Sequence, residues 1–133
     1  MVLKGNRYKK EKKTVKNTFS NAWNGIWYTF NNEINLKIHM LAAILVLIGA
    51  YILELNYYEI IICMLLIGLV ISFELINTLV EMIIDLVSPK YNELAGMIKD
   101  VAAGAVLVIS ITALIIGIAI FLPKILIYIG LWY

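Results

Sequence analysis

The 133-residue chain is poor in charge: Asp, Glu, Lys and Arg make up 15% of it, against about 25% in a soluble globular domain. Two prolines exclude a collagenous or proline-rich chain. The single cysteine, Cys63, excludes an intrachain disulfide and cannot make a zinc site by itself. Flanked by Ile61, Ile62, Met64 and Leu65, it reads as a buried, inert thiol. No GxxxxGK(S/T) loop, GxGxxG turn or kinase catalytic-loop signature occurs, so any nucleotide site must be of an unrelated kind. A secretory signal peptide does not fit either. The first long apolar stretch begins near residue 38, and no small-residue cleavage site follows it.

What is abundant is hydrocarbon. Hydrophobic residues reach 62%, above the roughly 45–50% of soluble domains, which puts the chain in the membrane class. The charge that exists is unevenly spread. Residues 1–16 carry Lys4, Arg7, Lys9, Lys10, Lys12, Lys13 and Lys16 against Glu11, a net of +6; the rest carries four basic and eight acidic residues, a net of −4. With apolar blocks this close behind, the basic head reads as a cytoplasmic terminus, and no nucleic-acid partner is expected.

Over residues 17–36, Phe19, Ala22, Trp23, Ile26, Trp27, Phe30 and Ile34 recur at steps of three and four, with Asn21, Asn24, Asn31 and Asn32 between them. That period predicts an amphipathic helix lying on the membrane surface, its tryptophans in the headgroup layer. Three apolar blocks follow at 38–55, 57–87 and 101–122, each long enough to approach or exceed the 20 or so residues a span needs. Basic residues lie at the N-terminus and around the second loop (Lys90, Lys99), with none in the first loop. The charge bias therefore predicts a plasma-membrane protein with a cytoplasmic N-terminus and a C-terminus outside. The expected fold is all-α in a single membrane domain: a surface helix followed by three transmembrane helices. Residues 123–133 are expected to form an apolar interfacial tail anchored by Tyr128, Trp132 and Tyr133.

The second block contains side chains foreign to a bilayer: Glu74, Asn77, Glu81 and Asp85. At 100° per residue the three carboxylates fall within about 40° of one another, with Asn77 about 60° to one side. A charge at the bilayer centre costs at least about 2.5–3.5 kcal/mol, so these groups must face a partner, a cavity or one another. If the span centres near Leu69, Glu74 lies roughly 7 Å and Glu81 roughly 18 Å towards the cytoplasm. A lipid hydroxyl can reach the first, and water-borne ions and nucleotides the second. Glu33, Lys99 and Asp100 belong at the same edge, where the start of the third span also offers free N–H groups to phosphate. The set has the parts of phosphoryl transfer: a proton acceptor, carboxylates for Mg²⁺ and positive charge for the γ-phosphate. A carboxylate proton relay in a non-enzymatic membrane protein, or a purely structural adaptor, uses the same residues and stays open at this point.

The segment Glu74-Leu75-Ile76-Asn77-Thr78-Leu79-Val80-Glu81, with Lys99-Asp100 and Ala105-Val106-Leu107 downstream and Ala22-Trp23-Asn24-Gly25 and Asn32-Glu33 upstream, resembles the small prokaryotic diacylglycerol kinase and undecaprenol kinase family. The resemblance covers about residues 19–122. It implies Glu74 as the general base on a lipid hydroxyl, and Glu33 and Glu81 as ligands of the nucleotide's Mg²⁺. It further implies Lys90, Tyr91, Asn92, Lys99 and Asp100 as nucleotide-binding residues, and Asn77, Asn35 and His39 as lipid-site or supporting residues. ATP and a membrane lipid alcohol are the implied substrates, and a homotrimer with composite sites the implied assembly. The run from Glu33 to His39 is similar to the Gram-positive branch, which is associated with undecaprenol; diacylglycerol is the alternative acceptor. The family's N-terminal basic residue has no secure counterpart, since Lys13 and Lys16 flank the place and Thr14 occupies it.

Overall fold

The computed structural model describes residues 15–90 and 92–131. These residues form four helices: α1 (Val15–Asn32), α2 (Ile34–Ile52), α3 (Tyr57–Val87) and α4 (Glu93–Tyr128). Three of them, α2, α3 and α4, are long and apolar enough to cross a membrane. At 1.5 Å per residue, α2 just matches a hydrocarbon layer of about 30 Å, whereas α3 and α4, at about 46 and 54 Å, overrun it. Large apolar side chains such as Leu45, Leu65, Val108 and Leu114 stay more than half exposed, as helices bathed in lipid require.

The α1–α2 corner is a single residue. Glu33 is extended (φ −105°, ψ 122°), although its N–H still donates to Thr29 O at 2.8 Å. Side chains on both sides of the break bond to backbone carbonyls. Asn31 and Asn32 turn their amides back onto the carbonyls of Trp27 and Tyr28 (2.9 and 2.7 Å), and Lys37 Nζ donates to Asn31 O. Of the last four carbonyls, which have no partner within the helix, Thr29 O is thus taken by Glu33 N and Asn31 O by Lys37 Nζ, while the two amides back up bonds of the last full turn. The surface helix expected over 17–36 therefore ends at Asn32, and residues 34–37 open the first long apolar helix.

A tight turn joins α2 to α3. Leu55 N donates to Ala50 O and Glu54 N to Tyr51 O, with Glu54 at φ 48°; this pairing is a Schellman close with Glu54 in the left-handed position. Asn56 then caps α3, accepting from Tyr58 N and Glu59 N while the Glu59 carboxylate accepts from Asn56 N. At the far end, Asn92 Oδ1 caps α4 by accepting from Leu94 N and Ala95 N. That cap moves the start of α4 to Glu93, eight residues before the apolar block begins. The helix also continues through Pro123 to Tyr128, so residues 123–128, expected in a tail, are helical. Trp132 and Tyr133 of that tail, like most of the basic head, lie outside the described residues.

Helices α3 and α4 run antiparallel and are pinned at both ends: Lys99 Nζ bonds Asp85 Oδ1 at one, and Lys124 Nζ lies 3.3 Å from Glu59 Oε2 at the other. Where α2 meets them the core is small, with Ala50, Leu55 and Cys63 packed under Phe121 and Ile120. A Cβ on Gly49 would lie 3.0 Å from the Phe121 ring, so glycine permits the approach of α2 to α4 at that end.

Candidate active site

One face of α3 changes character along its length. Its buried positions are Cys63 and Val70 in the first half, then Glu74, Asn77 and Thr78 in the second. The same seven- and four-residue spacing that buries a thiol and a valine thus buries a carboxylate and an amide one or two turns later. Glu74 is 2% exposed. The chain meets the energetic demand of that burial with polar company. His39 Nε2 on α2 stands 4.0 Å from Glu74 Oε2. Glu33, Glu81 and the Asn35 amide are the other groups that act on its carboxylate. Thr78 Oγ1 donates back to Glu74 O at 3.1 Å, and so does not compete for the acid.

Glu81 is oriented from one turn earlier: Asn77 Nδ2 donates to Glu81 Oε1 at 3.1 Å. A carboxylate can only accept here, which fixes the amide's orientation and leaves Asn77 Oδ1 buried without a protein partner among the described residues. Among those residues no three His, Cys, Asp or Glu side chains are grouped as a closed metal cage. Glu33 and Glu81 nonetheless supply carboxylate oxygens, the donor type taken by Mg²⁺, a hard cation usually held by one or two carboxylates together with substrate phosphates.

Of the positions expected to form a site, Glu33, Asn35, His39, Glu74, Asn77 and Glu81 come together at one end of the helical hairpins. Lys99 is joined to Asp85, one turn past Glu81 on the same face of α3. Asp85 was visible in the sequence as the last of the three aligned carboxylates, but nothing in its spacing pointed to Lys99 on another helix. Asn92 commits its side-chain oxygen to the α4 cap. Lys90 and Asp100 are exposed, and Tyr91 lies outside the described residues.

Residues 20–121 match the profile of the prokaryotic diacylglycerol kinase family. The chain is 46% identical over 107 residues to the undecaprenol kinase of Bacillus subtilis (strain 168), a match covering 80% of this chain and 87% of that protein. It is 39% identical over 110 residues to a diacylglycerol kinase of a Synechocystis strain, covering 82% of this chain and 63% of that longer protein. The diacylglycerol kinase of Escherichia coli (strain K12) is 28% identical over 94 residues, 71% of this chain and 77% of its own length. The carboxylate-bearing face of α3 and the start of α4 both fall inside the matched region, and the chain belongs to the prokaryotic diacylglycerol kinase family.

Proposed function

We propose that this protein is an ATP- and Mg²⁺-dependent lipid kinase that transfers the γ-phosphate of ATP to the hydroxyl of undecaprenol, giving undecaprenyl phosphate for the carrier-lipid supply of the cell wall. The observation that carries the reading is Glu74, a carboxylate 2% exposed inside an apolar helix yet grouped with Glu33 and Glu81. The 46% identity to a protein named undecaprenol kinase supports the choice of lipid.

In this mechanism Glu74 accepts the proton of the lipid hydroxyl as the oxygen attacks phosphorus. Glu33 and Glu81 hold the nucleotide's metal, with Asn77 fixing the Glu81 carboxylate in place. Bound Mg²⁺ would neutralise charge on the phosphates. Lys99 exchanges its bond to Asp85 for the phosphates, and Lys90, Tyr91, Asn92 and Asp100 take part in binding the nucleotide. The membrane delivers the lipid sideways to the buried base. Helix α1 lies along the cytoplasmic surface through Phe19, Trp23 and Trp27, which are all more than half exposed. The N-terminus is cytoplasmic and the C-terminus outside. A homotrimer with sites shared between protomers completes the picture; Gly68 and Ser72 leave open surface on α3 for a second copy.

Diacylglycerol is the second reading, favoured by the names of the Synechocystis and Escherichia coli relatives. Labelled MgATP offered to the purified protein in micelles, with undecaprenol and diacylglycerol side by side, decides between them. Transfer chiefly to undecaprenol, lost in Glu74→Gln, is expected. Transfer chiefly to diacylglycerol would overturn the choice of acceptor, and no transfer to either by folded protein would overturn the kinase reading.

A further inference from the structure

Two features have no task in that mechanism: His39, and an apolar groove of about 510 Å³ between α2, α3 and α4. They are continuous, because His39 is part of the groove's wall and also faces Glu74. Along α4 the wall runs from Ser110 to Ile125, about 22 Å at the helical rise. Small side chains at Ala43, Ala113 and Gly117 leave it hollow. Its polar side chains, apart from the thiol of Cys63, are His39 and Ser110. Interpolating between the Lys99–Asp85 and Lys124–Glu59 pairs sets Ser110 level with Glu74, so both polar wall groups stand at the same end as the buried acid. Ser110 Oγ is itself buried with no partner among the described residues.

The separation of His39 from Glu74 is informative. At 4.0 Å the two atoms are too far apart for a hydrogen bond. One oxygen lying about 2.8 Å from each would bridge them. We propose that His39 and Glu74 form a two-point seat for an alcohol oxygen at the head of this groove, and that the groove takes the alcohol's hydrocarbon chain and, being short of other polar groups, selects a long-chain alcohol whose hydroxyl is its only polar group. The inference rests on the kinase reading above and deepens it.

In the tautomer carrying the proton on Nε2, His39 donates to the alcohol oxygen while the alcohol O–H donates to Glu74. On transfer the oxygen–phosphorus bond forms and the bond from the γ-phosphorus to the bridging oxygen breaks. The hydroxyl proton ends on Glu74, ADP leaves, and His39 keeps its own proton. A polyprenol brings nothing else that needs a partner. A diacylglycerol brings two ester carbonyls to the same place, where Ser110 offers one further hydroxyl donor, and a carbonyl buried without a donor is penalised.

The test is steady-state kinetics of the full-length protein in micelles, comparing wild type, His39→Ala and His39→Gln. His39→Ala should raise the KM for undecaprenol about tenfold, the loss expected for one hydrogen bond, with the KM for MgATP unchanged. His39→Gln, which keeps an N–H at similar reach, should recover most of that loss. Because the seat holds an oxygen that both alcohols carry, the kcat/KM preference for undecaprenol over diacylglycerol should be kept in His39→Ala. Unchanged lipid kinetics, a parallel rise in the KM for MgATP, or a glutamine variant as poor as alanine would overturn the proposal. A second measurement fills the groove instead: Gly117→Leu, at a glycine with open space around it, should raise the KM for undecaprenol in folded protein with the KM for MgATP unchanged. Undecaprenol kinetics indifferent to that side chain would mean that the groove holds something else, such as a helix of a second copy. Wild type that phosphorylates only diacylglycerol overturns the proposed acceptor itself, whereas wild type active on undecaprenol with an indifferent His39 overturns this inference alone.

Discussion

At the scale of single residues, the site turns on groups that are poor choices for a membrane interior and are therefore informative. Glu74 has a carboxylate where a leucine would be cheaper, and its company of His39, Asn35, Glu33 and Glu81 gives that carboxylate a use. Glu74→Gln keeps the shape and removes the proton acceptor, so kcat should fall by about 10²- to 10⁴-fold while the protein stays folded; retained turnover in a micelle assay would remove Glu74 from the mechanism. Asn77 acts one step back. Its amide holds Glu81 Oε1, and Asn77→Ala should raise the Mg²⁺ concentration for half-maximal activity by about tenfold or more, measured by titrating Mg²⁺ at fixed ATP. The sequence made these residues legible because a carboxylate in an apolar run stands out whatever its neighbours are. The pairing of Lys99 with Asp85 was not legible in the same way, because it depends on how two helices are set against each other.

Among the helices and turns, the apolar blocks announced α2, α3 and α4, but not their ends. Hydropathy reports where side chains are oily, whereas a helix ends where its backbone groups find other partners. The stop at Asn32 lies at the extended backbone of Glu33, with Lys37 on the Asn31 carbonyl, and the early start of α4 is made by the Asn92 side chain, all within polar stretches that a hydropathy pattern passes over. Pro123 did not end α4, which carries it to Tyr128. Two turns invite a direct comparison. Both α2 and α4 close with the same pair of backward hydrogen bonds, Leu55 N to Ala50 O and Leu131 N to Leu126 O being the longer reach in each. The left-handed position is Gly130 (φ 74°) in one and Glu54 (φ 48°) in the other. A residue with a Cβ is strained there by roughly 1 kcal/mol relative to glycine. Glu54→Gly should therefore raise the Tm in detergent and Gly130→Ala lower it, both read by thermal unfolding at one detergent concentration. A lower Tm for Glu54→Gly would show that the Glu54 side chain contributes more than its backbone costs.

For the whole molecule, the expectations concern orientation and assembly. In a Cys63→Ala background, Tyr57→Cys should react with a membrane-impermeant maleimide on intact cells, and Lys90→Cys only after the cells are opened; the opposite pattern would invert the topology. If sites are shared between protomers, mixing the separately inactive Glu74→Gln and Lys99→Ala proteins should restore part of the activity, and no recovery would mean that each chain works alone. The four-residue link between α2 and α3 has a consequence for how such a protein is made. The turn is closed by contacts no more than five residues apart, and its cap by contacts within three, so the hairpin needs no distant part of the chain to take shape. Local closure of this kind carries little loop entropy and forms early. In the proposed orientation the hairpin carries only those few residues, none of them basic, through the bilayer during biogenesis, and its two helices enter together as one inserting unit.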